Sequence, residues 1–392
     1  MRGNISIFNP ISTNYLFTKK KIAVVSVIND LSSDIRVRKS CDALRECGYE
    51  VVLFGRQVPG SSPLPDWPWK SVRIKMLFHS GPLFYLFFNL RLFFFLLKQK
   101  STLLFSNDLD TLLPNFLISK LKRLPLIYDS HEIFCEVPEL QQNPFKKRIW
   151  QALEAFVLPR LRYCITVNDS IALYFKTLYG RDFISLRNIP PFLPLSQPAT
   201  RADLNLPENK KLVLLQGAGI NVDRGAEELV RAMAFVENTC LVIIGSGDVW
   251  PRLKELARPL SDRVILIHKL PKEQLVRYTA LADLGISIDK DTNLNYRFSL
   301  PNKLFDYFQA GLPVLASDLP EIASLIRHYA AGEFIESHQP EHLAERMTAL
   351  LNSPNLPLYR ENAKKAAGEL TWENEKIKLL DLITRAGGSP DT

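Results

Sequence analysis

Short apolar runs alternate with helical patterns along almost the whole chain, and a proline-rich break divides the alternation in two. The runs of the first half are KKKIAVVSVI (19–28), YEVVLFG (49–55), TLLFSND (102–108), LPLIYDS (124–130), YCITVND (163–169) and FISLRNIP (183–190). Runs this short and this apolar read as buried parallel strands, because a strand covered on both faces shows no polar alternation. SDIRVRKSCDALRECG (33–48) reads as a helix that stops at Gly48, and helices are expected near 112–122 and 170–179. PPFLPLSQPATRADLNLPENK (190–210) carries five prolines and no periodicity, as a linker does. The alternation restarts at KLVLLQG (211–217) and runs through CLVIIGSGD (240–248), RVILIHK (263–269), LGISID (284–289), PVLAS (313–317) and GEFIE (332–336). Helices are expected between these at 225–236, 249–257, 272–282, 319–327 and 340–352. The pattern predicts an α/β chain of two Rossmann-like, doubly wound parallel-sheet domains facing an interdomain cleft. The expected boundaries are a tail at 1–20, a first domain at 21–190, a linker at 191–210, a second domain at 211–369 and a last helix at 370–388.

Charge separates the two halves. The chain carries 49 Lys/Arg against 41 Asp/Glu. Residues 1–195 hold 26 of the bases and 15 of the acids, so the whole basic excess lies in the first half. That implies an anionic partner for that half, either a nucleic acid or an acidic membrane surface. A nucleic acid fits poorly, because the second half does not continue a basic track. GPLFYLFFNLRLFFFLLKQK (81–100) is too short and too interrupted to span a bilayer. PFKKRIWQALEAFVLPRLR (144–162) places three cations ahead of an apolar face, as helices lying on anionic membranes do. Both stretches also read as core helices. The five scattered cysteines form no CxxC pair, which disfavours a disulfide framework or zinc site and points to a reducing, cytoplasmic location.

In doubly wound sheets ligands lie beyond the carboxyl ends of the strands. The second half offers GAGINVDRGAEE (217–228) there, where Gly217 and Gly219 let backbone amides approach an anion and Arg224 adds a full charge. GSGD (245–248) repeats the device with Gly245 and Gly247. Both loops also read as ordinary tight turns. SLPNKLFDYFQAGLPVLASD (299–318) predicts a helix capped by Ser299 or Asn302, with Leu304, Phe305, Tyr307 and Phe308 on one arc. Lys303, Asp306 and Gln309 occupy the other arc. They form either an i,i+3 ion pair on a solvated face or a ligand wall in which Lys303 meets a diphosphate and Asp306 accepts ribose hydroxyls. In the first half, YDSHE (128–132) gathers Asp129, His131 and Glu132 at one strand end. No HxH, HExxH, GxSxG or Walker pattern occurs, so no metal site is expected.

With these residues, about 22–386 resembles the retaining glycosyltransferases of family 4, which have the GT-B fold. The strongest part is PNKLFDYFQAGLPVLASD (301–318), supported by Arg224-Gly225, GSG (245–247), YDSHE (128–132) and TWENEKIKLL (371–380). The resemblance implies a nucleotide-sugar donor on the second domain, a glycan or lipid-linked acceptor on the first, and transfer with retention, without metal or cofactor. Arg224 matches the residue that neutralises the donor diphosphate, Asp306 the second Glu of the family's Glu-x7-Glu motif, and His131 the histidine near the donor sugar. Lys303 joins them by position and charge. His131, Arg224 and Lys303 are therefore the candidate catalytic residues. Asp306, Gly217, Gly219, Gly245, Gly247, Asn302, Asp129 and Glu132 are the candidate substrate contacts. The motif's first Glu falls at Phe298, the Arg five residues before the basic position falls at Gly219, and NDLSSDIR (29–36) replaces the glycine pair of the first loop. The implied setting is polysaccharide synthesis at the inner membrane face. An inactive GT-B scaffold or partner subunit, and a nucleotide-sugar epimerase, are the alternatives.

Overall fold

The twelve apolar runs and one further edge segment form thirteen strands in two sheets, seen in a computed structural model that describes residues 20–32, 34–58, 60–61, 63–194 and 198–388. The expected tail lies, up to Lys19, outside the described residues. The first domain runs β1 (Ile22–Asp30), α1 (Ile35–Glu46), β2 (Glu50–Gln57), β3 (Lys70–Lys75), α2 (Gly81–Lys98), β4 (Leu103–Asn107), α3 (Leu112–Lys122), β5 (Leu126–Ser130), α4 (Pro138–Gln141), α5 (Pro144–Val157), β6 (Tyr163–Thr166), α6 (Asp169–Tyr179) and β7 (Ile184–Ser185). The second runs β8 (Lys211–Gly217), α7 (Ala226–Ala232), β9 (Thr239–Gly245), α8 (Trp250–Ala257), β10 (Val264–His268), α9 (Lys272–Leu281), β11 (Leu284–Ser287), α10 (Leu294–Arg297), α11 (Asn302–Gln309), β12 (Val314–Ser317), α12 (Pro320–Tyr329), β13 (Gly332–Ile335), α13 (Pro340–Leu351) and α14 (Leu356–Glu369), followed by α15 (Trp372–Gly388).

Every strand pair is parallel, in the orders β3-β2-β1-β4-β5-β6-β7 and β10-β9-β8-β11-β12-β13. Each sheet is covered on both faces. In β1, Ala23, Val25 and Val27 pack towards α1 and α15, while Val24 and Ile28 pack towards α2 and α3. In β8, Leu212 and Leu214 likewise part company with Val213 and Leu215. This two-residue alternation with both sets buried makes the runs continuously apolar.

Beside the four-residue helices α4 and α10, two longer elements were not expected, β3 and α14. β3 is an edge strand whose residues are mostly half-exposed, so its sequence KSVRIK shows no apolar run. α14 fully buries only Ala363 and Ala366, while Leu356 and Tyr359 pack half-buried against the second domain's core.

The domains are tied together at several points. α15 sends Leu379, Leu382 and Ile383 into the first domain's core beside Val37 and Leu44. Gln309 Nε2 donates to Pro190 O (3.1 Å), and Ser170 N donates to Glu321 Oε1 (2.7 Å). The segment between β11 and α11 crosses the cleft. Asn295 exchanges two hydrogen bonds with the Ile133 backbone (2.9 and 3.1 Å), as one strand residue would with another. Phe298 packs against the first domain's core, and its carbonyl accepts from Asn168 Nδ2 at 2.7 Å.

Strand order reverses between β1 and β4 in the first sheet and between β8 and β11 in the second. Such switch points open a crevice at the carboxyl ends of the strands, where the flanking connections leave in opposite directions. The crevices fall beside Asp108, just after β4, and beside Asp289, just after β11.

Candidate functional site

At the second domain's switch point, three side chains from three segments converge. Asp289 is fully buried at the end of the β11 run. Its carboxylate accepts from Arg224 Nη1 at 2.7 Å and lies 3.5 Å from Lys303 Nζ. Arg224 also stacks on Tyr296, with its guanidinium 4.0 Å from the ring centroid. Burial opposes the charge on Arg224, but Asp289 outweighs it and holds the guanidinium more firmly protonated. Burial also draws the Lys303 ammonium below its ordinary range, with Asp289 opposing and Arg224 adding to the effect. Two cations thus share one carboxylate, a surplus of positive charge suited to an anion. Asp289 was not among the sequence candidates. Its signal was there, as the last residue of LGISID at a strand's carboxyl end.

The loop after β8 is shaped by glycines. Gly225 sits at φ 75°, and a Cβ there would collide with the Ile288 carbonyl. The Gly217 and Gly245 loops pack backbone to backbone: Ile220 N donates to Ser246 O (2.7 Å) and Asp248 caps Val222 N (3.0 Å). A Cβ on Gly245 would strike Gly217 O, and one on Gly247 would strike Ile220 O. Close loop packing is thus sufficient reason for glycine at both positions. Gly219 has room for a side chain and lies beside Asn221.

α11 presents its two charges to different partners. Lys303 meets Asp289, whereas Asp306 binds Lys272 and accepts from Gln216 Nε2 at 2.8 Å. Of the two readings of this arc, the solvated i,i+3 pair does not form, because both side chains are turned inward; Asp306 is only 9% exposed. Burial raises the Asp306 carboxyl above the usual range, against the pull of Lys272. Thr279 completes the network by donating to Gln216 Oε1 (2.8 Å). A cavity of about 90 Å³ lies alongside, lined by Phe192, Leu193, Lys272, Thr279, Asp306 and Gln309. Tyr307 locks the helix down: its hydroxyl binds the carbonyls of Leu214 and Ile286 (both 3.1 Å), and its ring fills the space a side chain at Gly285 would need. The helix starts without a side-chain cap. Pro301 is the N-cap residue and Asn302 the first helical one, which corrects the expected Ser299 or Asn302 cap.

At the first domain's switch point His131 stands between two carboxylates. Asp108 accepts from the His131 backbone N (2.8 Å) and lies 3.2 Å from ring Nδ1; Asp129 lies 3.5 Å from Nε2. Arg36 grips Asp129 with two hydrogen bonds of 2.9 and 2.7 Å and donates to Leu186 O (2.8 Å). Burial works against the imidazolium, but Asp108 and Asp129 prevail and raise His131 to about 9. The same balance, with Arg36 and His131 overcoming burial, lowers Asp129 to about 2. At neutral pH His131 is therefore a proton and hydrogen-bond donor, not a base. Asp129 is fully buried with both oxygens on Arg36, which makes it a support for His131. Glu132 is exposed beside it. Asp108 has φ 57° and ψ 168°, a region that costs a non-glycine residue about 1–3 kcal/mol. It is held there by its own N–H to Asp129 O (2.8 Å) and by the His131 contacts.

Phe298 and Gly219 mark where the expected donor contacts are replaced. Phe298 packs half-buried against the first domain's core. A wider pocket of about 640 Å³ opens at the opposite ends of β8 and β9, among Arg201, Lys211, Thr239 and Asp283. It lies at no switch point, and Asp283 there is tied to Arg201, Arg360 and Leu212 N. Among the described residues no group of three or more His, Cys, Asp or Glu side chains is placed to hold a metal ion.

Comparison with known proteins bears on both domains. Residues 35–197 match the family model described as Glycosyltransferase Family 4, and residues 196–369 match that of Glycosyl transferases group 1. The chitobiosyldiphosphodolichol beta-mannosyltransferase of Candida glabrata is 21% identical over 93% of this chain and 92% of its own. The sucrose-phosphate synthase structure from Thermosynechococcus elongatus superposes with a TM-score of 0.76 at 17% identity, covering 93% of this chain and 99% of that one. Anabaena HepE in complex with UDP and glucose gives 0.70 at 14% identity, over 93% of this chain and all of that one.

Proposed function

The chain belongs to the group 1 glycosyltransferases of GT-B fold, and from that premise we propose that it moves a sugar from a nucleotide-diphosphate donor to a glycan or lipid-linked acceptor, with retention at the anomeric carbon. The observation that carries this reading is the pairing of Arg224 and Lys303 on Asp289 at the switch point of the second sheet. A leaving diphosphate carries the charge this surplus would neutralise, so the two cations stabilise it as the glycosidic bond to phosphate breaks. No divalent ion is required by that scheme. The Asp306, Lys272 and Gln216 network, with the small cavity beside it, supplies hydrogen-bonding groups for the nucleoside. HepE, which shares the fold, was solved with UDP and glucose, and the Candida relative is named for a lipid diphosphate acceptor.

His131 supports retention. A protonated imidazole cannot take the acceptor's proton, so the leaving phosphate oxygen takes it while the acceptor oxygen bonds to the same face of the sugar. Held between Asp108 and Asp129, the imidazole instead keeps its positive charge at the first domain's side of the cleft. The five free cysteines suit a reducing cytoplasm. An enzyme acting at the inner membrane face in surface polysaccharide synthesis fits these features.

A panel of nucleotide sugars tests the reading by thermal shift, since a bound donor stabilises the folded state by mass action. At least one donor should raise the melting temperature of the wild-type chain and not that of Arg224→Ala. Turnover should persist in EDTA, and NMR of the product should show the donor's own anomeric configuration. No response to any donor would favour the inactive-scaffold alternative, and an inverted product would overturn retention.

A further inference from the structure

Among the described residues, one large apolar surface is left uncovered. α2 buries Phe84, Phe88, Leu92 and Leu96 against the first sheet, at a spacing of four. Its outward face is apolar as well: Leu83, Leu86, Leu90, Phe94 and Leu97 form a second stripe, with Leu86 56% and Phe94 55% exposed. Helices of soluble domains turn a polar face to water, and α2 does not. It is the one helix among the described residues that is long and apolar enough to cross a membrane, yet its inner face holds it flat on the sheet.

The stripe continues onto its neighbours. α3 adds Leu121 (64% exposed), and α5 adds Phe145 (74%) and Ile149 (55%). The three helices are stitched side by side. Tyr85 of α2 meets Trp150 of α5 ring to ring at 5.1 Å, Phe116 of α3 meets Phe156 at 6.0 Å, and Lys122 donates to Leu96 O and Gln99 O.

Charge identifies the occupant. Arg91, Lys98, Lys120, Arg123, Lys146 and Arg148 are all exposed around the apolar stripe. The segments 81–100, 112–123 and 144–162 contain a single acid, Glu154, and it is buried. A second copy of this face would set cation against cation across the pseudo-symmetric contact. An anionic bilayer satisfies both properties at once, with headgroups on the cations and acyl chains under the leucines and phenylalanines.

We infer that the outward faces of α2, α3 and α5 form a docking surface for a bilayer rich in anionic lipids, on which the chain lies without spanning it. The surface adjoins the first domain's half of the cleft. Asn89 of α2 donates to Asp110 O (3.0 Å), two residues from Asp108, and the Arg56 guanidinium at the end of β2 lies 4.9 Å over the Phe84 ring. Docking there brings the acceptor half of the cleft close to the membrane plane.

Flotation of the full chain with phosphatidylcholine vesicles, with and without phosphatidylglycerol, tests the surface. The chain should float with phosphatidylglycerol vesicles in low salt and release in high salt. The pair Leu86→Glu/Phe94→Glu, and separately Lys146→Glu/Arg148→Glu, should each lower partitioning by about tenfold or more. All four side chains face outward, so unchanged thermal unfolding should accompany the loss. Failure to float with either vesicle, salt-independent binding to neutral vesicles, or full binding by both variants would overturn the inference. So would a dimer in sedimentation that Leu86→Glu/Phe94→Glu dissociates, since a second copy would then cover the stripe. Flotation needs neither donor nor acceptor. A chain that floats but transfers nothing refutes only the proposed reaction, and one that glycosylates a soluble acceptor but never floats refutes only this surface.

Discussion

The two switch points are built from the same parts and balanced differently. In the first domain, Arg36 and His131 face Asp108 and Asp129, two cations on two carboxylates. In the second, Arg224 and Lys303 face Asp289 alone. The first cluster is complete without a ligand and stores its charge as a fixed, protonated imidazole. The second is one anion short. In the proposed reaction this surplus suits the second domain to the anionic donor, while the first domain's cluster needs no anion to complete it.

Breaking the self-balanced cluster should cost the most stability. Asp129→Asn leaves Arg36 buried without its counter-charge, and chemical unfolding should show a loss of about 3–5 kcal/mol. Breaking the unbalanced cluster should cost activity. Arg224→Ala leaves Asp289 its Lys303 partner and should lower kcat/KM about 10²–10³-fold with little change in unfolding, which steady-state kinetics with a responsive donor would read. Equal effects of both variants on stability would erase the distinction.

The pH dependence sharpens it. His131, raised from 6.5 to about 9, contributes stability fully below about 6.5 and loses it as pH rises through about 9. Asp129, lowered from 3.8 to about 2, contributes above about 3.8 and loses it as pH falls through about 2. Unfolding free energy measured against pH should therefore decline above neutrality in the wild type and less so in His131→Asn. The smallest expected effect is at the strap between the domains. Phe298→Ala removes a half-buried ring from the first domain's core and should cost about 1–2 kcal/mol in thermal unfolding, while the two clusters stay intact.

Much of the second domain's candidate site was legible in the sequence, and the reason is local. Arg224 sits in the glycine loop after β8 and Lys303 in the first turn of α11, and both places are found from local patterns of short apolar runs, glycines and helical periodicity. Their common partner was less visible, because Asp289 read only as the end of a strand. The polar arc of α11 was legible as an arc but not as two separate partnerships, since Lys272 and Gln216 reach Asp306 from α9 and β8. β3 and α14 escaped because an edge strand and a mostly solvated helix carry too little apolar periodicity to register.

By itself, the sequence determined the two doubly wound domains, the break between them, the basic first half and the residue types waiting at the strand ends. Those properties follow from periodicity and composition, which act over a few residues. Only the tertiary structure decided which charges meet. Arg36 reaches Asp129 across 93 positions, and Arg224 reaches Asp289 across 65. Parallel crossovers bring distant strand ends to one edge of a sheet, so the balance of charge there belongs to topology. The same holds for α2: its sequence is apolar all round, and only its packing shows which half is core and which half faces outward.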